Sequence, residues 1–101
     1  MKLEKCKTLQ DFFRGKDGEK RWTKGAYART QNGRRCGIQS PKAVCWCLSG
    51  AIEKLNLTHL STGLIPVIRA NGLNVAFYSD ANDSPQTTIA DIRRWVKAAN
   101  V

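Results

Sequence analysis

The side chains best suited to chemistry are four cysteines at positions 6, 36, 45 and 47, a single histidine at 59, and the cluster Asp80, Asn82 and Asp83. His59 with Cys45 or Cys47 would make a base and nucleophile pair, and Asp80, Asn82 and Asp83 would suit a metal or a substrate hydroxyl. The spacings oppose both uses. Cys45-Trp46-Cys47 is a C-x-C in a stretch that reads as helix, where residues two apart point in different directions. No second ligand pair stands at zinc spacing, and His59 has no flanking partner. Asp and Asn ahead of Ser84-Pro85 are what turns use. No motif of known mechanism is present, so the expected protein is not an enzyme and holds no metal and no cofactor. The cysteines read as free thiols in a reducing compartment, with Cys47 packed as a small hydrophobe.

Charge points elsewhere. The chain has 101 residues and a net charge of +9, and residues 1–35 carry 11 Lys and Arg against 4 Asp and Glu, whereas residues 36–101 carry 6 against 4. The surplus therefore sits in the first third, where it favours association with a polyanion or an acidic protein surface. A solvated face that maintains solubility is the simpler reading of the same charge. A hydrophobic content of 42% supports one folded domain spanning residues 1–101 rather than disorder. No apolar run approaches the roughly 18 residues of a membrane span, and the polar start lacks the apolar core of a signal peptide, so a cytoplasmic protein without membrane partners is expected.

The elements that must position these side chains follow from periodicity. Residues 2–14 place Leu3, Cys6, Leu9 and Phe13 on one face of an amphipathic helix, and the charged, glycine-containing stretch Arg14–Lys20 reads as a solvated loop. Asn32-Gly33 marks a type I′ turn, predicting a small β-hairpin near residues 26–38, with Tyr27 or Trp22 packed onto the helices. Ser40-Pro41 then starts a central helix over 41–55, whose stripe is Val44, Cys47, Leu48, Ala51, Ile52 and Leu55. A third helix begins within a turn of Pro66 or is kinked there, and ends at Asn71-Gly72. Residues 73–78 read as extended and 79–85 as a turn-rich connection. A last helix over 86–100 has a capping-box signal in Thr88 and Asp91 and buries Ile89, Ile92, Val96 and Ala99, with Trp95 at the edge of the stripe. The fold class is mostly α, of the α+β type, with about four helices around the central one.

A resemblance can be set beside this reading. Trp22, Gly25, Ala26 and Ala28, then Ala43, Trp46, Cys47, Leu48, Gly50 and Ala51, then Asn82 and Asp83, follow the pattern W-x-x-G-A-x-A, A-x-x-W-C-L-x-G-A and N-D. That pattern resembles a family of small bacterial and phage proteins whose shared domain has no assigned activity. The resemblance implies a bacterial or phage protein and supplies no reaction.

Taken together, these features predict a small basic binding domain that takes nucleic acid, or a nucleoprotein, through its first third and hairpin. Lys16, Lys20, Lys24, Arg29, Arg34 and Arg35 form the candidate face, and Trp46, Arg93, Arg94 and Lys97 a secondary set. Arg29, Arg34 and Arg35 are expected to be dispensable for folding. Trp46 most simply packs against the hairpin; exposed beside Lys42 and the hairpin arginines, it would stack bases. The alternative is a phage-type accessory or inhibitor protein that docks on a host protein through the same residues.

Overall fold

The computed structural model describes residues 2–60 and 63–101. After a 3-10 turn at Leu3–Lys5, the chain forms α1 (Leu9–Phe12), α2 (Gly15–Lys20), β1 (Ala28–Thr30), β2 (Ala43–Trp46) and α3 (Leu48–Lys54). A second 3-10 turn at Thr58–Leu60 precedes α4 (Leu64–Ala70), α5 (Tyr78–Asp83) and α6 (Ile89–Ala99). The α+β class is thus as expected, but six short helices among the described residues replace about four longer ones.

The central helix over 41–55 does not form as one element. Ser40 Oγ accepts from the Lys42 amide at 3.2 Å and closes a turn instead of capping a helix. Residues 43–46 are a strand because their backbone finds partners on both sides. β1 pairs antiparallel with β2, with Ala28 opposite Trp46 and Arg29 opposite Cys45. On the other edge the Trp46 amide donates to the Arg21 carbonyl at 2.6 Å, and the Thr23 amide donates to the Trp46 carbonyl at 3.1 Å. This tertiary pairing outweighs a helical period that Val44 happened to extend. Val44 is accordingly exposed, while Cys47, Leu48, Ala51 and Ile52 keep the buried part of the stripe.

The first helix is interrupted for a similar reason. Thr8 Oγ1 accepts from the Asp11 amide at 3.0 Å, so α1 starts afresh at Leu9. The stretch read as a solvated loop folds as α2, which passes so close to α1 that a Cβ on Gly18 would lie 2.0 Å from the Phe13 carbonyl carbon. Only glycine permits that approach.

The Asn32-Gly33 turn is present in a different form. Gly33 has φ +82° and Asn32 stays out of the left-handed region, giving a three-residue loop in place of the type I′ turn. The Thr30 amide donates to the Arg34 carbonyl at 2.8 Å and the Cys36 amide to the Ala28 carbonyl at 3.1 Å. Beyond the single bridge between Arg29 and Arg35 the expected pairing does not continue, and β1 takes β2 as its main partner.

Pro66 is the third residue of α4, where its missing N–H would have been unpaired anyway. Residues 79–83, read as a turn, belong to α5. α6 has the expected capping box: the Thr88 amide donates to Asp91 Oδ2 at 2.8 Å. The core joins Leu9, Phe12 and Phe13 to Trp46, Leu48, Leu64, Ile68, Ile92, Trp95 and Val96, all fully buried. Phe12 meets the Phe13 ring edge-on at 4.9 Å and the Trp46 ring at 5.4 Å. Among the described residues no helix is long and apolar enough to cross a membrane.

Two stability predictions follow from this packing. Leu48→Ala should destabilise the protein by about 2 to 5 kcal/mol in urea titrations, because the site is enclosed on all sides. The Thr88 amide holds Asp91 below its usual carboxylate range, against the opposing effect of burial, and the Arg94 guanidinium adds to the lowering. A lowered folded-state pKa stabilises above the unfolded value and loses that contribution as pH falls through the folded one. Stability should therefore drop as pH falls below about 4, and Asp91→Asn should flatten that limb of the profile while costing less than about 1 kcal/mol at neutral pH, since the carboxylate is largely screened by solvent.

Candidate nucleic-acid interface

The frame of the site is built on one side chain, Asn82 of α5, which is completely buried. Its Oδ1 accepts from the Trp22 indole N–H at 2.6 Å and from the Leu48 amide at 3.0 Å. Its Nδ2 donates to the Thr23 carbonyl at 2.9 Å and to Asp83 Oδ1 at 2.9 Å. The same Asp83 oxygen accepts from the Gly25 amide at 3.0 Å. Residues 22–25 are thereby locked between α5 and the start of α3. Gly50 completes the joint, since a Cβ there would lie 2.1 Å from the Tyr27 carbonyl oxygen.

This frame uses up part of the expected basic face. Lys24 Nζ donates to the Ser84 carbonyl at 2.8 Å and lies over the Trp22 ring, 5.7 Å from its centroid. Arg29 is a brace: Nε donates to Thr23 Oγ1 at 3.2 Å, one terminal nitrogen to the Gly33 carbonyl at 2.9 Å and the other to the Lys24 carbonyl at 3.0 Å. Arg29 is therefore part of the fold, contrary to its expected dispensability. Lys16 and Lys20 are exposed on α2, and Arg34 and Arg35 are exposed at the turn that Arg29 braces. In the secondary set, Trp46 is buried and donates its indole N–H to the Ile38 carbonyl at 2.9 Å, which removes it from any stacking role. Arg93 donates to the Phe13 and Gly15 carbonyls, Arg94 pairs with Asp91 at 2.7 Å, and Lys97 is exposed.

Two clefts flank the turn. One, of about 300 Å³, has the backbone of residues 25–28 as a wall and is lined by Tyr27, Arg35, Cys36, Cys47, Ser79 and Asp83. The other, of about 340 Å³, lies between Thr30–Asn32 and Pro41, Lys42 and Val44. Of the two aromatics either of which was expected to pack onto the helices, the half-buried Trp22 does so and Tyr27 is 57% exposed.

Cys47 is not placed as a nucleophile in the first cleft. Cys47 is 3% exposed, and its Sγ caps α3 by accepting from the Gly50 amide at 3.3 Å. Burial pushes the thiol pKa up, against those amide hydrogen bonds, and the nearby Asp83 charge adds to the rise. A thiol held in its neutral form is a poor nucleophile. His59 and Asp80 are exposed and do not line the cleft. Among the described residues no group of three or more His, Cys, Asp or Glu is placed to hold a metal ion.

No family model matches the chain, and neither curated proteins nor solved structures give a match. The case for a site rests on its own geometry. Sequence reasoning missed Asn82 as the organising residue, for which the N-D pair was the available signal, and Tyr27 as the exposed aromatic, which stands at an unspecified position of W-x-x-G-A-x-A and carried no signal.

The Asn82 frame makes a sharp prediction. Asn82→Ala leaves the Leu48 amide, the Trp22 indole N–H and the Thr23 carbonyl unpaired, at a total cost of about 2 to 4 kcal/mol. Asn82→Asp, nearly the same shape, should be as damaging at neutral pH, because its second oxygen would face the Thr23 carbonyl and Asp83. Urea midpoints of the two variants check this; an Asp variant as stable as the parent would mean the donor side of Asn82 does not matter.

Proposed function

We propose that this protein is a non-enzymatic binding domain that holds single-stranded nucleic acid at the edge of its sheet. The observation that carries the reading is that an exposed aromatic, Tyr27, and an exposed cation, Arg35, line one cleft beside a braced turn. A base stacked on Tyr27 would place its phosphate toward Arg35 and Arg34, while Ser79 and Asp83 offer hydrogen-bonding groups to the base edge. Lys42, in the cleft across the turn, extends the charge to a neighbouring phosphate. Arg29 contributes by fixing the turn, and Lys24 by fixing the loop before it. Without a helix placed to enter a groove, affinity on this reading is mainly to phosphate and stacked base, and only weakly sequence-dependent.

The test is anisotropy with labelled single- and double-stranded DNA and RNA across a salt series. Tyr27→Ala should weaken single-strand binding by about 5- to 150-fold, the range of one lost base stack. Replacing Arg34 and Arg35 together by alanine should lower the salt slope by about 1.4, the value for two phosphate contacts to a single strand. Thermal unfolding of both variants should match the parent, since neither position is buried. Binding that disappears at physiological salt and ignores Tyr27 would overturn the reading, and would favour an accessory protein that docks on an acidic host partner.

A further inference from the structure

A second concentration of charge lies away from the turn, where α6 crosses the junction of α1 and α2. Arg14, Arg93 and Lys97 line one cleft of about 350 Å³, with Gln10, Gly15 and Val96 completing it and no carboxylate in the lining. Arg93 and Lys97 are one turn apart on α6 and so share a face. Arg93 is held rigidly: its Nε donates to the Phe13 carbonyl at 2.7 Å and one terminal nitrogen to the Gly15 carbonyl at 2.6 Å. Its other terminal nitrogen makes neither of these bonds. The nearest acid, Asp11, is 3.6 Å from Arg14, and Arg14 is 64% exposed, so this pair is a weak surface one that leaves Arg14 able to turn into the cleft.

We infer that the Arg14–Arg93–Lys97 cleft is an anion site that takes a phosphate group. Guanidinium groups match phosphate oxygens in a planar, two-point fashion, and an ammonium adds a mobile point charge. A fixed Arg93 lowers the ordering cost, while Arg14 and Lys97 close from the two sides. Bringing three cations together with only the loose Asp11 pair outside the lining is unfavourable unless solvent or an anion balances them, and a phosphate with two charges does so more completely than chloride. The phosphate can belong to a small phosphorylated ligand or to a nucleic-acid backbone, and the inference does not depend on the Tyr27 cleft.

The experiment is titration of the full chain with inorganic pyrophosphate, followed by amide and arginine Nε–H NMR signals. Saturable shifts are expected at Arg93 Nε–H and at the amides of Gly15 and Lys97. Arg14→Gln and Lys97→Gln, both at exposed positions, should each weaken the fitted affinity at least threefold and the pair at least tenfold, with unchanged thermal unfolding. Tyr27→Ala should leave pyrophosphate binding as it was, so failure of the single-strand reading would not touch this result. Competition by an oligothymidine would assign the phosphate to a nucleic-acid backbone, and absence of competition to a small ligand. Shifts that rise linearly without saturation, spread evenly over all surface lysines and arginines, or survive in the double variant would overturn the site.

Discussion

The structure depends on a single carboxamide. Asn82 has two acceptor positions and two donors; three are met by groups from distant parts of the chain, an indole and a carbonyl from residues 22 and 23 and the amide of Leu48, and the fourth by the neighbouring carboxylate of Asp83. In a low-dielectric interior such a network is stiff when complete and expensive when one member is lost. It also resolves a problem of α3, whose first amides have no partner inside the helix. Leu48 is served by Asn82 from across the core and Gly50 by the Cys47 sulfur, so a short helix is capped from two directions. The position of the sheet edge, and with it the exposed turn, follows from that anchoring.

Much of the positive charge has a second purpose in so small a domain. Arg21 donates to the Phe12 carbonyl, Arg29 to those of Lys24 and Gly33, and Arg93 to those of Phe13 and Gly15. Short helices and a small sheet leave many carbonyls without partners, and arginine, with several donors in a rigid fork, can serve two of them at once. Net charge therefore overstates the charge on offer to a partner. What remains outward sits mainly on Lys2, Lys5 and Lys7 ahead of α1, on α2, at the turn and around the α6 cleft.

Local signals in the sequence were legible where they were self-contained. The Thr88–Asp91 capping box, the helix stop at Asn71-Gly72 and the placement of Pro66 in a first turn each depend on a few neighbouring residues, and each is as expected in position. The failures share a cause of the opposite kind. Residues 43–46 are a strand because Arg21, Thr23 and the paired strand Ala28–Thr30 supply hydrogen bonds from far along the chain, and residues 78–83 are a helix docked through Asn82. Neither partner is visible in a local window. For the site, the turn and the outward Arg34 and Arg35 were readable from Asn32-Gly33, whereas the engagement of Arg29 and Lys24, the burial of Trp46 and the exposure of Tyr27 were decided by packing.

The contrast between Arg29 and its neighbours bears on how a small basic face can be selective. A flexible loop carrying three arginines would lose rotamer and backbone freedom on every contact, and the gain from each phosphate would be partly cancelled. Here one arginine is immobilised against the carbonyls of both ends of the segment, which fixes the backbone that presents the other two. The third guanidinium is thus exchanged for preorganisation of the first pair, with Tyr27 in the bend just before β1. Removing Arg29 would release the turn as well as a charge, so its loss and the loss of Arg34 or Arg35 are different perturbations, even though all three residues look alike in the sequence.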